Sequence, residues 1–234
     1  MTTTHTHFGQ TVRSSRGLGL KLSRETYAII NKRSSVPVFP RDYDPAAWDR
    51  ANHLYDDAEH RILTDEWCEA HRAKALANFD MNMAHFASLD PVEFEITLRA
   101  IIIDGTPGMV EVTDLTQWDG APGVYVMVLD EYRQVYIGAT SESAGIAKRI
   151  RQHWTGQKQF DRLLAGSVKT SVLSIDSFRA LDTTRIFAMM TTQYFAEENL
   201  LLQQFPPKFA VNRGMGGGRA ERFAGLRDVG ATES

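Results

Sequence analysis

The stretch Gly123-Val124-Tyr125-Val126-Met127-Val128-Leu129 constrains the fold more than any other part of the chain. From Val124 to Leu129 both alternating faces are apolar and β-branched residues recur, the pattern of a strand covered on both sides. Turn residues frame it: Asp119-Gly120-Ala121-Pro122-Gly123 before, Asp130-Glu131-Tyr132-Arg133 after. Val135 to Gly138 then reads as the returning strand of a hairpin. Ile146, Ile150 and Trp154, four residues apart, predict a helix from about Ala144 to Trp154. Val168 to Ile175 is a candidate third strand. Asp182 or Thr183 caps a long predicted helix running to about Phe205, where Pro206-Pro207 stops it.

The first half has a different texture. Asp44-Pro45 opens a helix through about Arg61, Thr64 opens a second, and Asp90-Pro91 with Glu93 opens a third. The second places Trp67, Leu76, Phe79, Met83 and Phe86 at helical spacing, and the third buries Phe94, Leu98, Ile101 and Ile102. Gly105-Thr106-Pro107-Gly108 breaks this pattern, and a short strand is expected over Met109 to Val112. The expected organisation is an N-terminal arm at 1–40, a helical accessory domain at 41–118, a strand-containing domain at 119–213 and a flexible tail at 214–234. The fold class is α+β, with a small three-stranded, mainly antiparallel sheet flanked by helices.

Composition excludes several alternatives. The 234 residues are 43% hydrophobic and 24% charged, with a net charge of −3, an ordinary globular balance. The single cysteine, Cys68, makes neither an internal disulfide nor a thiolate zinc cage, and nothing near it activates a nucleophile. The N-terminus lacks the pattern of a signal peptide and no apolar run approaches a membrane span, so a cytoplasmic location is expected. His5 and His7 are candidate metal ligands, although a mobile polar terminus is the plainer reading. Asp56, Asp57, Glu59 and His60 read as a solvated helix face. The tail glycines Gly214, Gly216, Gly217 and Gly218 lack the lysine and hydroxyl of a phosphate-binding loop.

Chemistry concentrates in the second half. Arg149 and His153 lie four apart, so one helix face presents both, either to a phosphate or to solvent beside Lys148 and Arg151. Glu198 shares a predicted helix face with Tyr194, Phe195, Leu201, Leu202 and Phe205, an acid within an apolar stripe. Burying an unpaired carboxylate costs several kcal/mol, which calls for a cation: a metal, or a salt bridge to Arg149 or Arg185. Glu197 points more to the side and is the alternate. Tyr125 and Tyr136 would ordinarily be core or cross-strand aromatics.

Gly123-Val124-Tyr125, Val135-Tyr136-Ile137-Gly138, Arg149 with His153, Glu197-Glu198 and Asn212 after the double proline, in this order, resemble the GIY-YIG nuclease superfamily over about residues 121 to 213. Arg149 with a histidine four residues on looks most like the type II restriction endonuclease branch. Pro122-Gly123-Val124-Tyr125-Val126-Met127 also resembles the nuclease domain of the excision-repair protein UvrC. The resemblance implies a metal-dependent DNA endonuclease using Mg²⁺ or Mn²⁺ held by Glu198. Tyr125 would be the base, Tyr136 and His153 would orient or relay, Arg149 would stabilise phosphate charge, and Asn212 would orient a tyrosine or backbone group. Ala139 stands where many members have a lysine, leaving Lys148, Arg151 and Lys158 as the nearby cations for nucleic acid. The interval from Glu198 to Asn212 is a couple of residues longer than usual. Alternatives are a nicking repair or mobile-element nuclease, and a catalytically degenerate nucleic-acid-binding module.

The net charge of −3 divides unevenly. Residues 119–213 hold 11 Lys and Arg against 9 Asp and Glu, a balance of +2, whereas residues 1–118 hold 12 against 17, a balance of −5. DNA contact is therefore expected in the second half, with the acidic half serving dimerisation, partner binding or restraint. A restriction role implies two active sites per double-strand cut and hence a homodimer.

Overall fold

The computed structural model describes residues 4–14, 19–30, 32–33, 44–155 and 168–213. Its centre is a sheet of four antiparallel strands in the order β3-β6-β4-β5: β3 (Val110–Glu111), β4 (Gly123–Leu129), β5 (Gln134–Thr140) and β6 (Arg185–Met190). All seven residues of β4 are buried, as a strand apolar on both faces and paired on both edges requires. Each fully buried Val, Leu or Met there contributes about 1.5–3 kcal/mol. A tight turn at Asp130–Tyr132, with Arg133 in the left-handed region at φ 52°, returns the chain into β5.

The expectation of a three-stranded sheet is corrected in number and in membership. The strand expected at Val168 to Ile175 is absent, because two asparagines take over its backbone. α3 (Asp65–Ser88) presents Asn78, whose Nδ2 donates to the carbonyls of Val168 and Ser171, both at 2.9 Å. Asn82 Nδ2 donates to the Ser171 carbonyl at 3.1 Å. The segment is thereby held as an irregular loop ending in a 3₁₀ turn at Ile175–Ser177. The third long strand is β6, inside the stretch expected to be helical from 182. Its short apolar run fits strand and helix periodicity alike, and pairing with β4 decides the outcome. The helix that follows, α6, is confined to Tyr194–Gln204. β3 occupies the short strand expected near 109–112 and pairs with β6.

The three helix starts predicted in the first half are present: Asp44 caps α2 (Pro45–Ala51), Thr64 caps α3 and Asp90 caps α4 (Pro91–Leu98). α2 stops short of the expected Arg61 because the Asp57 carboxylate accepts the amides of Arg61 and Ile62, folding a turn. His60 is buried there, stacked between Trp48 and Tyr55, which replaces the expected solvated helix face. One hydrophobic cluster runs from Tyr27 through Phe86 and Leu98 to Val211.

The N-terminal segment also departs from expectation. Strands β1 (Thr4–His7) and β2 (Gln10–Arg13) form a hairpin around Phe8 and Gly9, both at positive φ. His7 Nε2 donates to the Thr183 carbonyl at 2.8 Å and Phe8 stacks on Trp154. After it comes a single helical turn, α1 (Arg24–Tyr27). The expected tail, with its glycines, falls outside the described residues. Among the described residues no helix is long and apolar enough to cross a membrane.

Candidate functional site

The β4–β5 register places two tyrosines together. Tyr125 pairs with Gly138 and Met127 with Tyr136, so Tyr125 and Tyr136 are diagonal neighbours on one face, with ring centroids 6.2 Å apart. Gly138 makes room: a Cβ there would come within 2.6 Å of the Tyr125 hydroxyl and 2.8 Å of the Tyr136 ring.

Helix α5 (Ile146–Thr155) brings Arg149 and His153 over this face. Its start is pinned where Gly145, at φ 72°, packs on the Gly120 backbone too closely for a side chain, and the Ile146 amide donates to the Ala121 carbonyl at 2.9 Å. His153 is 3% exposed. Its Nε2 meets the Tyr125 Oη at 2.9 Å and its Nδ1 meets the Asp176 Oδ1 at 2.6 Å. An aspartate at Nδ1 holds the proton on that nitrogen, which leaves Nε2 as the acceptor of the tyrosine proton. Asp176 belongs to the loop that Asn78 and Asn82 hold, and its amide donates to Ser174 Oγ at 3.4 Å. Sequence reasoning missed Asp176. The only local signal was Ser174-Ile175-Asp176, a side chain capping a turn, within a segment that otherwise reads as a strand.

Of the two glutamates on α6, Glu198 belongs to this cluster. Burial raises its pKa, opposed by the Ala139 amide and the Arg149 guanidinium. The same carboxylate raises the pKa values of Tyr125 and Tyr136, while Arg149 lowers both. Burial is the largest influence on each phenol: it pushes Tyr136 up to about 12 and Tyr125 well above its usual range. Glu197 keeps an ordinary helical place, its amide donating to the Gln193 carbonyl. The expected apolar stripe around Glu198 is only partly present: Leu201 and Phe205 are buried, but Phe195 is exposed.

Asn212 acts on the backbone of β5 rather than on a tyrosine side chain. Its Oδ1 accepts the Ile137 amide at 3.0 Å and its Nδ2 donates to the Ile137 carbonyl at 2.7 Å. One residue earlier, the Val211 amide donates to the Val135 carbonyl. Asn212 and Val211 thus satisfy the outer edge of β5 on both sides of Tyr136 and fix that residue's height in the site. Lys148 is exposed beside Arg149. Arg151, a candidate nucleic-acid contact, pairs with Asp119 at 2.7 Å and donates to Gln10, on another side of α5 from Arg149. Lys158 lies outside the described residues.

A metal here would rest on one side chain, since no group of three His, Cys, Asp or Glu among the described residues forms a cage. Glu198 fits that mode, because a half-buried carboxylate whose charge is disfavoured gains from a cation, and hydrated Mg²⁺ needs only one or two carboxylates. No family model, curated protein or solved structure matches the chain.

Proposed function

We propose that the protein is a metal-dependent DNA endonuclease of the GIY-YIG kind, hydrolysing phosphodiester bonds as a restriction-type enzyme, with DNA as its partner and a homodimer as its working form. The observation that carries this reading is the buried line Tyr125–His153–Asp176 beside Arg149 and Glu198. It combines a proton acceptor, a cation for phosphate charge and a carboxylate suited to a metal. Glu198 would hold Mg²⁺ or Mn²⁺, which when bound supplies Lewis-acid stabilisation of the phosphate.

The chain's own residues handle the proton. A free tyrosinate is costly: a phenol of pKa 10 is about 4 kcal/mol from ionised at pH 7, and burial raises Tyr125 further. His153 removes the difficulty. As the attacking water bonds to phosphorus, its proton passes to Tyr125 Oη and the Tyr125 proton passes to His153 Nε2. The bond to the leaving oxygen breaks, and that oxygen takes a proton from solvent. The new imidazolium faces the Asp176 carboxylate, which stabilises it. Arg149, exposed at the rim, meets the charge on the phosphate. Tyr125 is wholly buried beside the partly exposed Tyr136, so this transfer requires water to reach the Tyr125 hydroxyl past the Tyr136 and Arg149 side chains.

The test is incubation with supercoiled plasmid and Mg²⁺ or Mn²⁺ from pH 6 to 9. Wild type should cut, and Glu198→Ala should lose at least about 100-fold in rate while still binding DNA. An intact plasmid under all these conditions, or full activity in Glu198→Ala, refutes the reading.

A further inference from the structure

Behind α5 lies a second groove that the nuclease reading does not use. At about 100° per residue, Arg151 leaves α5 nearly opposite Arg149 and His153, and Trp154 leaves about a quarter-turn round from His153. They line a groove of about 270 Å³ between the N-terminal hairpin, α5 and the 3₁₀ turn at Ala180–Asp182. Arg13 from β2 and Arg179 from the loop before that turn complete its charged wall. Val12 and Leu20, with Trp154, form its apolar floor. Among the described residues the lining holds three arginines and no acid.

Two acids lie close to these arginines. Asp119, which does not line the groove, pairs with Arg151 at 2.7 Å, and Gln10 accepts from the other Arg151 nitrogen. The Asp182 carboxylate accepts the amides of Leu22 and Arg179 and the Tyr132 hydroxyl, and its charge also acts on the Arg179 guanidinium. Arg13 is exposed and its side chain makes no hydrogen bond or ion pair among the described residues. Three arginines from three elements, lining one groove with Val12, Leu20 and Trp154, match a phosphate group carried on a sugar or base: the planar forks suit phosphate oxygens and the apolar side chains suit the organic part.

We propose that this groove is a phosphate-binding site, distinct from the Tyr125 cluster, taking the phosphate of a nucleotide or of a nucleic-acid backbone. It stands whether or not the Tyr125 cluster cleaves DNA. The two sources separate in a binding experiment on the full chain with EDTA present, using thymidine monophosphate in one arm and a 12-base-pair duplex in the other, followed by tryptophan fluorescence and calorimetry. Arg13→Ala, an exposed change that should leave Tm unaltered, should weaken binding about tenfold or more in at least one arm. Loss in the mononucleotide arm, retained by Arg149→Ala, identifies a nucleotide site. Loss confined to the duplex, with a salt dependence shallower by about one unit, identifies a backbone contact. Wild-type affinity of Arg13→Ala for both probes overturns the proposal, as does failure of wild type to bind either probe at millimolar concentration.

Discussion

Two sets of the same three residue types occur in the molecule, the first wholly buried and the second buried except for a half-buried His7. Tyr125, His153 and Asp176 form one; Tyr132, His7 and Asp182 form the other. Both tyrosines belong to the β4–β5 hairpin, and burial raises the pKa of each. The wiring differs. In the first set histidine lies between phenol and carboxylate, so a proton leaving Tyr125 has a base to receive it. In the second, Tyr132 donates directly to Asp182 at 3.0 Å, and Asp182 also accepts two backbone amides. His7 stands aside, bonded to the Thr183 carbonyl. The second set ties the N-terminal segment, the β4–β5 turn and the loop before β6 into one knot, joined by Trp154 Nε1 donating to Thr183 Oγ1 at 3.0 Å. A raised phenol pKa therefore does not distinguish chemistry from architecture here. The presence of a proton acceptor, an adjacent arginine and an adjacent carboxylate does.

The largest expected effect breaks the comparison at its tyrosines. Tyr125→Phe removes the relay's first hydroxyl and should cut the cleavage rate per folded molecule by about 10²–10⁴-fold, with a stability cost of about 1–3 kcal/mol because the buried His153 Nε2 loses its partner. Tyr132→Phe should leave the rate per folded molecule unchanged and cost about 1–3 kcal/mol of stability, because a buried carboxylate loses a donor. Parallel urea melts and plasmid assays on the two variants read this directly. A catalytic loss in Tyr132→Phe matching that of Tyr125→Phe would erase the distinction.

The aspartates give the next contrast. Asp176 acts through His153, so it is a positioning residue whose replacement should disturb protonation rather than folding. In Asp176→Asn the amide can donate to Nδ1, which moves the ring proton to Nε2 and removes the acceptor that Tyr125 needs. The rate should fall by about 10²-fold or more, and the pH dependence should change shape, with Asp176→Glu recovering part of both. Asp182→Asn should spare the pH–rate profile altogether. Identical profiles for wild type and Asp176→Asn would assign Asp176 to packing alone.

Much of this arrangement is legible along the chain, and the part that is not has a physical reason. A valine-rich run apolar on both faces and framed by glycine, proline and turn residues reads as a covered strand, so β4 stands out, and with it the partner glycine that lets two tyrosines meet. Arg149 and His153 follow from helix spacing, and Glu198 from being an acid beside Leu201 and Leu202. Asp176 is hidden because its loop takes its shape from Asn78 and Asn82, about ninety residues earlier, whose side chains replace strand partners. β6 is hidden because six residues of mixed apolar character fit two periodicities until β4 offers an edge. The N-terminal hairpin is hidden because its strands are polar, and it is held by docking on α5 and Thr183 rather than by its own pattern.

The smallest expected effect separates the two histidines. Burial lowers the pKa of His7, partly offset by its carbonyl partners Thr183 and Ala180. Once the hairpin undocks, the ring regains a value near 6.5. Below about pH 6.5 the undocked state therefore binds more protons than the docked one, so stability falls as pH drops through that window and levels off below the docked value. Above it the contribution of neutral His7 is fully present. His153 differs in its partner, a carboxylate oxygen 2.6 Å from Nδ1 where His7 meets a backbone carbonyl. His7→Gln, which keeps a donor for Thr183, should show a shallower decline in Tm between pH 6.5 and 5 than wild type, with equal values near pH 8. Coincident pH–Tm curves would mean that the hairpin is held by its Phe8 and Gln10 contacts and not by a neutral His7.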